Sequence, residues 1–239
     1  MIRRYFHRWE QELAAVSQHE RRVLPFEWGE DWLEHREPGP GSRDPEDHSP
    51  GSPIPDPGSR ISAWVEAVMK DSDAFFTPEP ARYTFTKAPE SVRATGEEGV
   101  LTFSSGLTTP HPENNTVVAR YFPAKPMWKP RPGAPRRAVV VLAQWNSDAD
   151  GHIGLCKILS RLGIASLRIS LPYHDTRRPP ELVRADYIVS SNIVRTLQVN
   201  RQAVRDVRLA LWWLRDQGYE RLGLLGTSPA MREVFRAIR

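Results

Sequence analysis

Leu222-Gly223-Leu224-Leu225-Gly226-Thr227-Ser228-Pro229-Ala230 is an apolar run that ends in a turn of small residues carrying a serine. A strand buried on both faces of a parallel sheet needs such a nearly unbroken apolar run. A serine on a tight turn directly after that strand is one way in which an α/β sheet displays a nucleophile. The reading of this stretch decides the fold, because it makes residues 221–227 a parallel strand and asks the chain before it for matching units.

Those units are present. Ala138-Val139-Val140-Val141-Leu142-Ala143 is almost wholly apolar, and Ile164-Ala165-Ser166-Leu167-Arg168-Ile169-Ser170-Leu171 is rich in branched residues. Between them, residues 151–162 read as a crossover helix closed by Gly163. After a loop over residues 172–190 comes a long helix, with Leu197, Val204, Val207, Leu211 and Leu214 on one stripe and Gly218 past its end. Strand, helix, strand, helix, strand predicts a parallel α/β sheet. Further upstream, Tyr83-Thr84-Phe85-Thr86, Val100-Leu101-Thr102-Phe103 and Thr116-Val117-Val118-Ala119-Arg120-Tyr121-Phe122 read as antiparallel strands, and a proline-rich loop over residues 123–135 joins the two halves.

The first third of the chain has another character. Ile2, Tyr5, Phe6, Trp9, Leu13 and Val16 recur at helical spacing, and a second aromatic patch follows at Phe26, Trp28 and Trp32. Residues 1–35 are therefore expected to form a helical extension. Residues 36–60 hold seven Pro, four Gly and four Ser, which buries too little surface to offset its ordering entropy, so the expectation is a linker. Residues 61–239 are expected to be the core, opening on a short helix that carries Ile61, Trp64, Val65, Val68 and Met69.

Composition narrows the function. The net charge of +4 comes from 33 Lys+Arg against 29 Asp+Glu, with the signs interleaved rather than gathered on a stripe, which argues against a nucleic-acid partner. The single cysteine, Cys156, excludes an internal disulfide and a thiolate zinc cluster and reads as a core residue. No run reaches the ~18 apolar residues of a membrane span, and charges interrupt the N-terminus where a secretory signal would be apolar. The expectation is a soluble, cytoplasmic protein with no metal and no cofactor.

With antiparallel strands first, parallel βαβ units next and a G-x-S-x-A turn at residues 226–230, the chain resembles the α/β-hydrolase family from about residue 82 to residue 228. The segment Leu171-Pro172-Tyr173-His174-Asp175 is similar in wording to a bacterial subgroup of that family with an N-terminal extension. The resemblance implies the N-terminal part of a hydrolase sheet, Ser228 as nucleophile, Gln144-Trp145-Asn146 as the oxyanion loop, and Trp145, Asn146 and His174 as oxyanion or substrate-binding residues. The implied substrate is a small ester, thioester or amide.

Three departures bear on activity. Ala230 stands where the family has glycine. Pro229 has no backbone N–H to give an oxyanion, and loss of such a donor costs about 10²–10³ in rate. No histidine or aspartate follows Ser228, although the family's base and its orienting acid come later in the chain. The expectation is a chain cut short after the elbow and weakly active or inactive, with a strand edge left open to self-association. His152 and His174, the latter beside Asp175, are the substitute bases to examine, while His111 carries no signal. Arg177 and Arg178 read as solvated loop residues, with capture of a carboxylate or phosphate as the alternative. A non-catalytic interaction domain that keeps part of the hydrolase fold is the competing reading.

Overall fold

The computed structural model describes residues 25–33, 57–129 and 131–226. The opening helix and Ser228-Pro229-Ala230 lie outside the described residues. Six strands, β1 (Tyr83–Lys87), β2 (Gly99–Ser104), β3 (Thr116–Phe122), β4 (Arg137–Leu142), β5 (Ile164–Ile169) and β6 (Arg221–Gly226), form one sheet in the order β1-β2-β3-β5-β4-β6. The pairs β1/β2, β2/β3 and β3/β5 are antiparallel, and β5/β4 and β4/β6 are parallel. This is an open, mixed α/β sheet, with the antiparallel half first in the chain and the parallel half last, as the strand patterns imply.

Five helices accompany it among the described residues: α1 (Pro57–Lys70), α2 (Ser72–Phe76), α3 (Glu90–Arg93), α4 (Ile153–Arg161) and α5 (Ile193–Asp216). Helix α1 begins ahead of Ile61, inside the proline-rich stretch. Helices α2 and α3 are too short to leave a periodic signal in the sequence.

Alternation along β4 explains its composition. Val140 and Leu142 point to the face covered by α5, where they meet Leu101, Leu167, Ile169, Leu209, Trp213 and Leu214. Val141 points to the other face and packs with Phe122 and with Cys156 of α4. Helices on both faces leave β4 no solvated side, so every interior position is apolar. Cys156 is wholly buried, and burial pushes its thiol pKa up.

Of the stripe expected on α5, Val204, Val207 and Leu214 are buried and Leu211 packs against the core, and only its first member departs. Leu197 is exposed, while Gln198, Gln202, Arg205 and Asp206 are buried. Hydrophobic periodicity cannot find these positions, because they face polar partners across the core rather than apolar ones. No helix among the described residues is long and apolar enough to cross a membrane.

Residues 25–33 dock against the start of α5. The Glu27 N–H donates to Ser191 O and its carbonyl accepts from Ile193 N–H, both at 3.1 Å, and Val194 N–H donates to Trp28 O. Asn192 caps α5 by accepting from Arg195 N–H at 2.9 Å, and it also donates to the Glu27 carboxylate at 3.0 Å. Gly29 (φ 77°) is required here twice over: the backbone is left-handed, and a Cβ would sit 1.9 Å from Asn192 Oδ1. Gly29→Ala is expected to detach this segment, seen as faster chymotryptic cleavage at Trp28 and a lowered thermal midpoint, with the far-UV spectrum of α5 and the sheet retained.

Candidate active site

The chain leaves β4 toward β5 on one side and returns through α5 to β6 on the other. Such a reversal of strand order opens a crevice at the carboxyl ends of the strands, where α/β folds bind ligands. Three segments meet that end of the sheet: residues 143–151 after β4, residues 170–190 after β5, and Gly226, which is in register with Leu142.

The post-β4 loop is held by two arginines that are cross-strand neighbours, Arg120 of β3 and Arg168 of β5. Like charges placed opposite one another repel, and each is met by its own carboxylate. Arg120 binds Glu97 at 2.6 Å and Asp150 at 2.9 Å, and donates to Ala149 O. Arg168, 1% exposed, pairs with Asp175 and donates to Gly151 O at 3.2 Å and Asp148 O at 2.5 Å. The backbone over residues 148–151 is thus fastened to the sheet by charged bonds, the strong class of hydrogen bond.

Trp145 and Asn146 project from the same loop. Asn146 holds a left-handed φ of 58° and accepts from Ala185 N–H at 2.8 Å. Trp145 donates to Ala185 O at 3.3 Å and lies under the Arg184 guanidinium at 4.7 Å. Both are therefore tied to the post-β5 segment, which they brace from the β4 side.

Backbone strain also gathers in that segment. Tyr173 (φ 62°) and Asp175 (φ 46°) both sit in the left-handed region, a backbone cost of order 1–3 kcal/mol each that surrounding contacts must offset. Between them His174, 4% exposed, donates from Nδ1 to the Pro172 carbonyl at 2.8 Å. A carbonyl only accepts, so Nδ1 carries the proton and Nε2 holds a bare lone pair, and no described group bonds it. Asp175 does not orient this imidazole; its carboxylate is taken by Arg168 and Ser170. Burial lowers the pKa of His174. His152, with φ 69° and an unpartnered Nδ1, is shifted the same way by burial and by Arg168.

Arg177 corrects the sequence reading. It is wholly buried, neither solvated nor open to an anion, and its guanidinium lies 2.9 Å from Asp206 of α5. It also donates to Ser170 O at 2.9 Å and Asn114 O at 2.6 Å. Asp206 accepts from Ser105 Oγ–H and Gly106 N–H, both at 2.8 Å, while Gln202 joins Asn114, Ser105 and Leu107. Arg178 stays on the surface and donates to Val183 O.

His111, which carried no signal in the sequence, lies 3.0 Å from the hydroxyl of wholly buried Tyr173 and 3.4 Å from Glu181. It sits among the rings of Trp32, Tyr173 and Tyr187. Burial pushes the Tyr173 phenol up to about 12, so it stays protonated. Among the described residues no group of three or more His, Cys, Asp or Glu is arranged to hold a metal ion.

No family model and no curated protein matches the chain. Among solved structures it is similar to an acetyl xylan esterase from Paenibacillus sp. R4, at 11% identity and a TM-score of 0.46 over 67% of this chain and 50% of that one. It is also similar to acetyl xylan esterase 1 from Thermoanaerobacterium sp. JW/SL YS485, at 15% identity and a TM-score of 0.39 over 70% of this chain and 50% of that one. The chain spans half the length of each of these structures, and likeness at this level bears on neither activity nor substrate.

Two outcomes follow from the buried charges. Asp206→Asn leaves Arg177 charged and unpaired in the interior, and urea denaturation should show a loss of about 3–5 kcal/mol. For His174 the folded value lies below the ordinary 6.5, so just below that pH the unfolded chain binds more protons than the folded one. Stability is therefore full above 6.5 and declines as pH falls through 6.5 toward the folded value. His174→Gln should flatten this decline, leaving the part contributed by His152.

Proposed function

We propose that the chain carries the nucleophile half of a serine hydrolase of the α/β-hydrolase type, acting on a small ester, thioester or amide through Ser228. The observation that carries the reading is the register of β6. This strand runs parallel to β4 and ends at Gly226 beside Leu142, and the serine turn follows in sequence. A switch-point crevice and a serine turn directly after a parallel strand are the two features this chemistry requires.

In this reading Trp145 and Asn146 bound the acyl side of the crevice, and His174, whose buried Nε2 meets no described group, is the candidate base. Its tautomer, with Nδ1–H committed to Pro172 O and Nε2 unprotonated, is the one a general base needs. The orienting group is a backbone carbonyl, which stabilises a developing imidazolium less than a buried aspartate does. Pro229 also withholds the usual N–H donor. Turnover by this chain is accordingly weak.

The second reading, an interaction domain, is favoured by one feature. Strand β6 is the outermost strand among the described residues, and Leu222 on it is 38% exposed. An apolar edge of this kind is a template for strand addition.

Incubation with a fluorophosphonate probe followed by peptide mass spectrometry separates the two. The expected result is slow, sub-stoichiometric modification at Ser228 that vanishes in Ser228→Ala, with p-nitrophenyl acetate hydrolysis near background. If no adduct forms at Ser228 even at raised pH, the interaction reading takes its place.

A further inference from the structure

At the opposite end of the sheet from the crevice, the amino ends of β4 and β6 open into a cavity of about 720 Å³. This lies within the ~300–1,000 Å³ typical of small-molecule sites. Its charged lining is one-sided: Arg131, Arg136, Arg137 and Arg221 contribute, and among the described residues no acidic one does. Trp128 and Tyr219 provide flat apolar surface beside them.

The walls are built rather than incidental. The proline-rich loop after β3 is fastened to α4 by Lys125 N–H to Ser160 O at 2.9 Å, Met127 N–H to Arg161 O at 3.1 Å and Ser160 Oγ–H to Pro123 O at 2.6 Å. Arg136 is fixed on the other side. It donates to Gln217 O at 2.8 Å and lies 4.4 Å above the Tyr219 ring. The adjacent Glu220 is occupied by the Arg136 N–H and stays outside the cavity.

Arg137 and Arg221 set the chemistry. They are direct partners in the parallel ladder, so their side chains leave the same face of the sheet as neighbours. Like charges in that relation destabilise a sheet. The same juxtaposition at Arg120 and Arg168 is neutralised by carboxylates, whereas no described carboxylate pairs with Arg137 or Arg221. An anion supplied from outside would fill that role, and paired guanidinium forks suit the oxygens of a phosphate.

The geometry points to a binding site here for a phosphorylated ligand with a flat ring, the chemistry of a nucleotide: phosphates on Arg137 and Arg221, ring against Trp128. The site is independent of the hydrolase reading, because it uses the other end of the strands and none of the crevice residues.

Isothermal titration of the full chain with ATP, tripolyphosphate and adenosine at low salt tests it. ATP should bind with one-to-one stoichiometry, tripolyphosphate about tenfold more weakly, and adenosine not at all. Arg137→Ala and Arg221→Ala should each weaken ATP by about tenfold, the scale of one lost charge-assisted bond. Trp128→Ala, on an exposed loop where folding is not at stake, should weaken ATP and leave tripolyphosphate unchanged. Absence of ATP binding, or arginine variants that bind as the parent does, overturns the site. Tripolyphosphate binding as tightly as ATP overturns the nucleotide assignment.

Discussion

The buried pair between Arg177 and Asp206 is the constraint on which the carboxyl end of the sheet depends. Each is at most 1% exposed, and a charge so placed costs several kcal/mol unless it is paired and hydrogen-bonded. Here it is both. Arg177 reaches Asn114, Ser170 and Asp206, so a single guanidinium joins the turn before β3, the carboxyl end of β5 and the middle of α5. These three elements are far apart in sequence.

With that pair in place, the strained segment after β5 follows. Arg177 holds its far end and Arg168 holds Asp175 two residues earlier, so the backbone between β5 and Arg177 is pinned from two sides. The left-handed conformations of Tyr173 and Asp175 are tolerated because the surroundings over-determine them. One result is the presentation of His174 with an unbonded Nε2 in a buried setting. Another is the ring cluster in which Tyr173, Tyr187 and His111 meet Trp32 from residues 25–33. The early aromatic patch thereby becomes part of the wall around the post-β5 segment.

The two ends of the sheet treat arginine in opposite ways. At the carboxyl end, Arg120, Arg168 and Arg177 are spent internally on Glu97, Asp175 and Asp206, and they hold loops in place. At the amino end, Arg137 and Arg221 stand side by side over a cavity without a described counter-charge. The near-neutral balance of the whole chain conceals this separation.

What the sequence by itself determined is the set of elements and their class. Buried parallel strands must be apolar throughout, helices that cover them must show a 3.6-residue period, and both patterns are local, so β3 to β6, α4 and α5 are legible within a few residues. Helices α2 and α3 were not legible because a single turn has no period. Only the tertiary structure decided the roles of the charged residues. Arg177 in a proline-flanked loop has the look of a solvated side chain, and Asp206 and Gln202 look like the outer face of α5. Their burial depends on partners 29 to 101 residues away, and no local pattern encodes a contact at that separation. The same holds for His174 and Asp175, adjacent in the chain and natural to read as a pair. The backbone turns them apart because Arg168, on the strand beneath, is the stronger claim on the carboxylate.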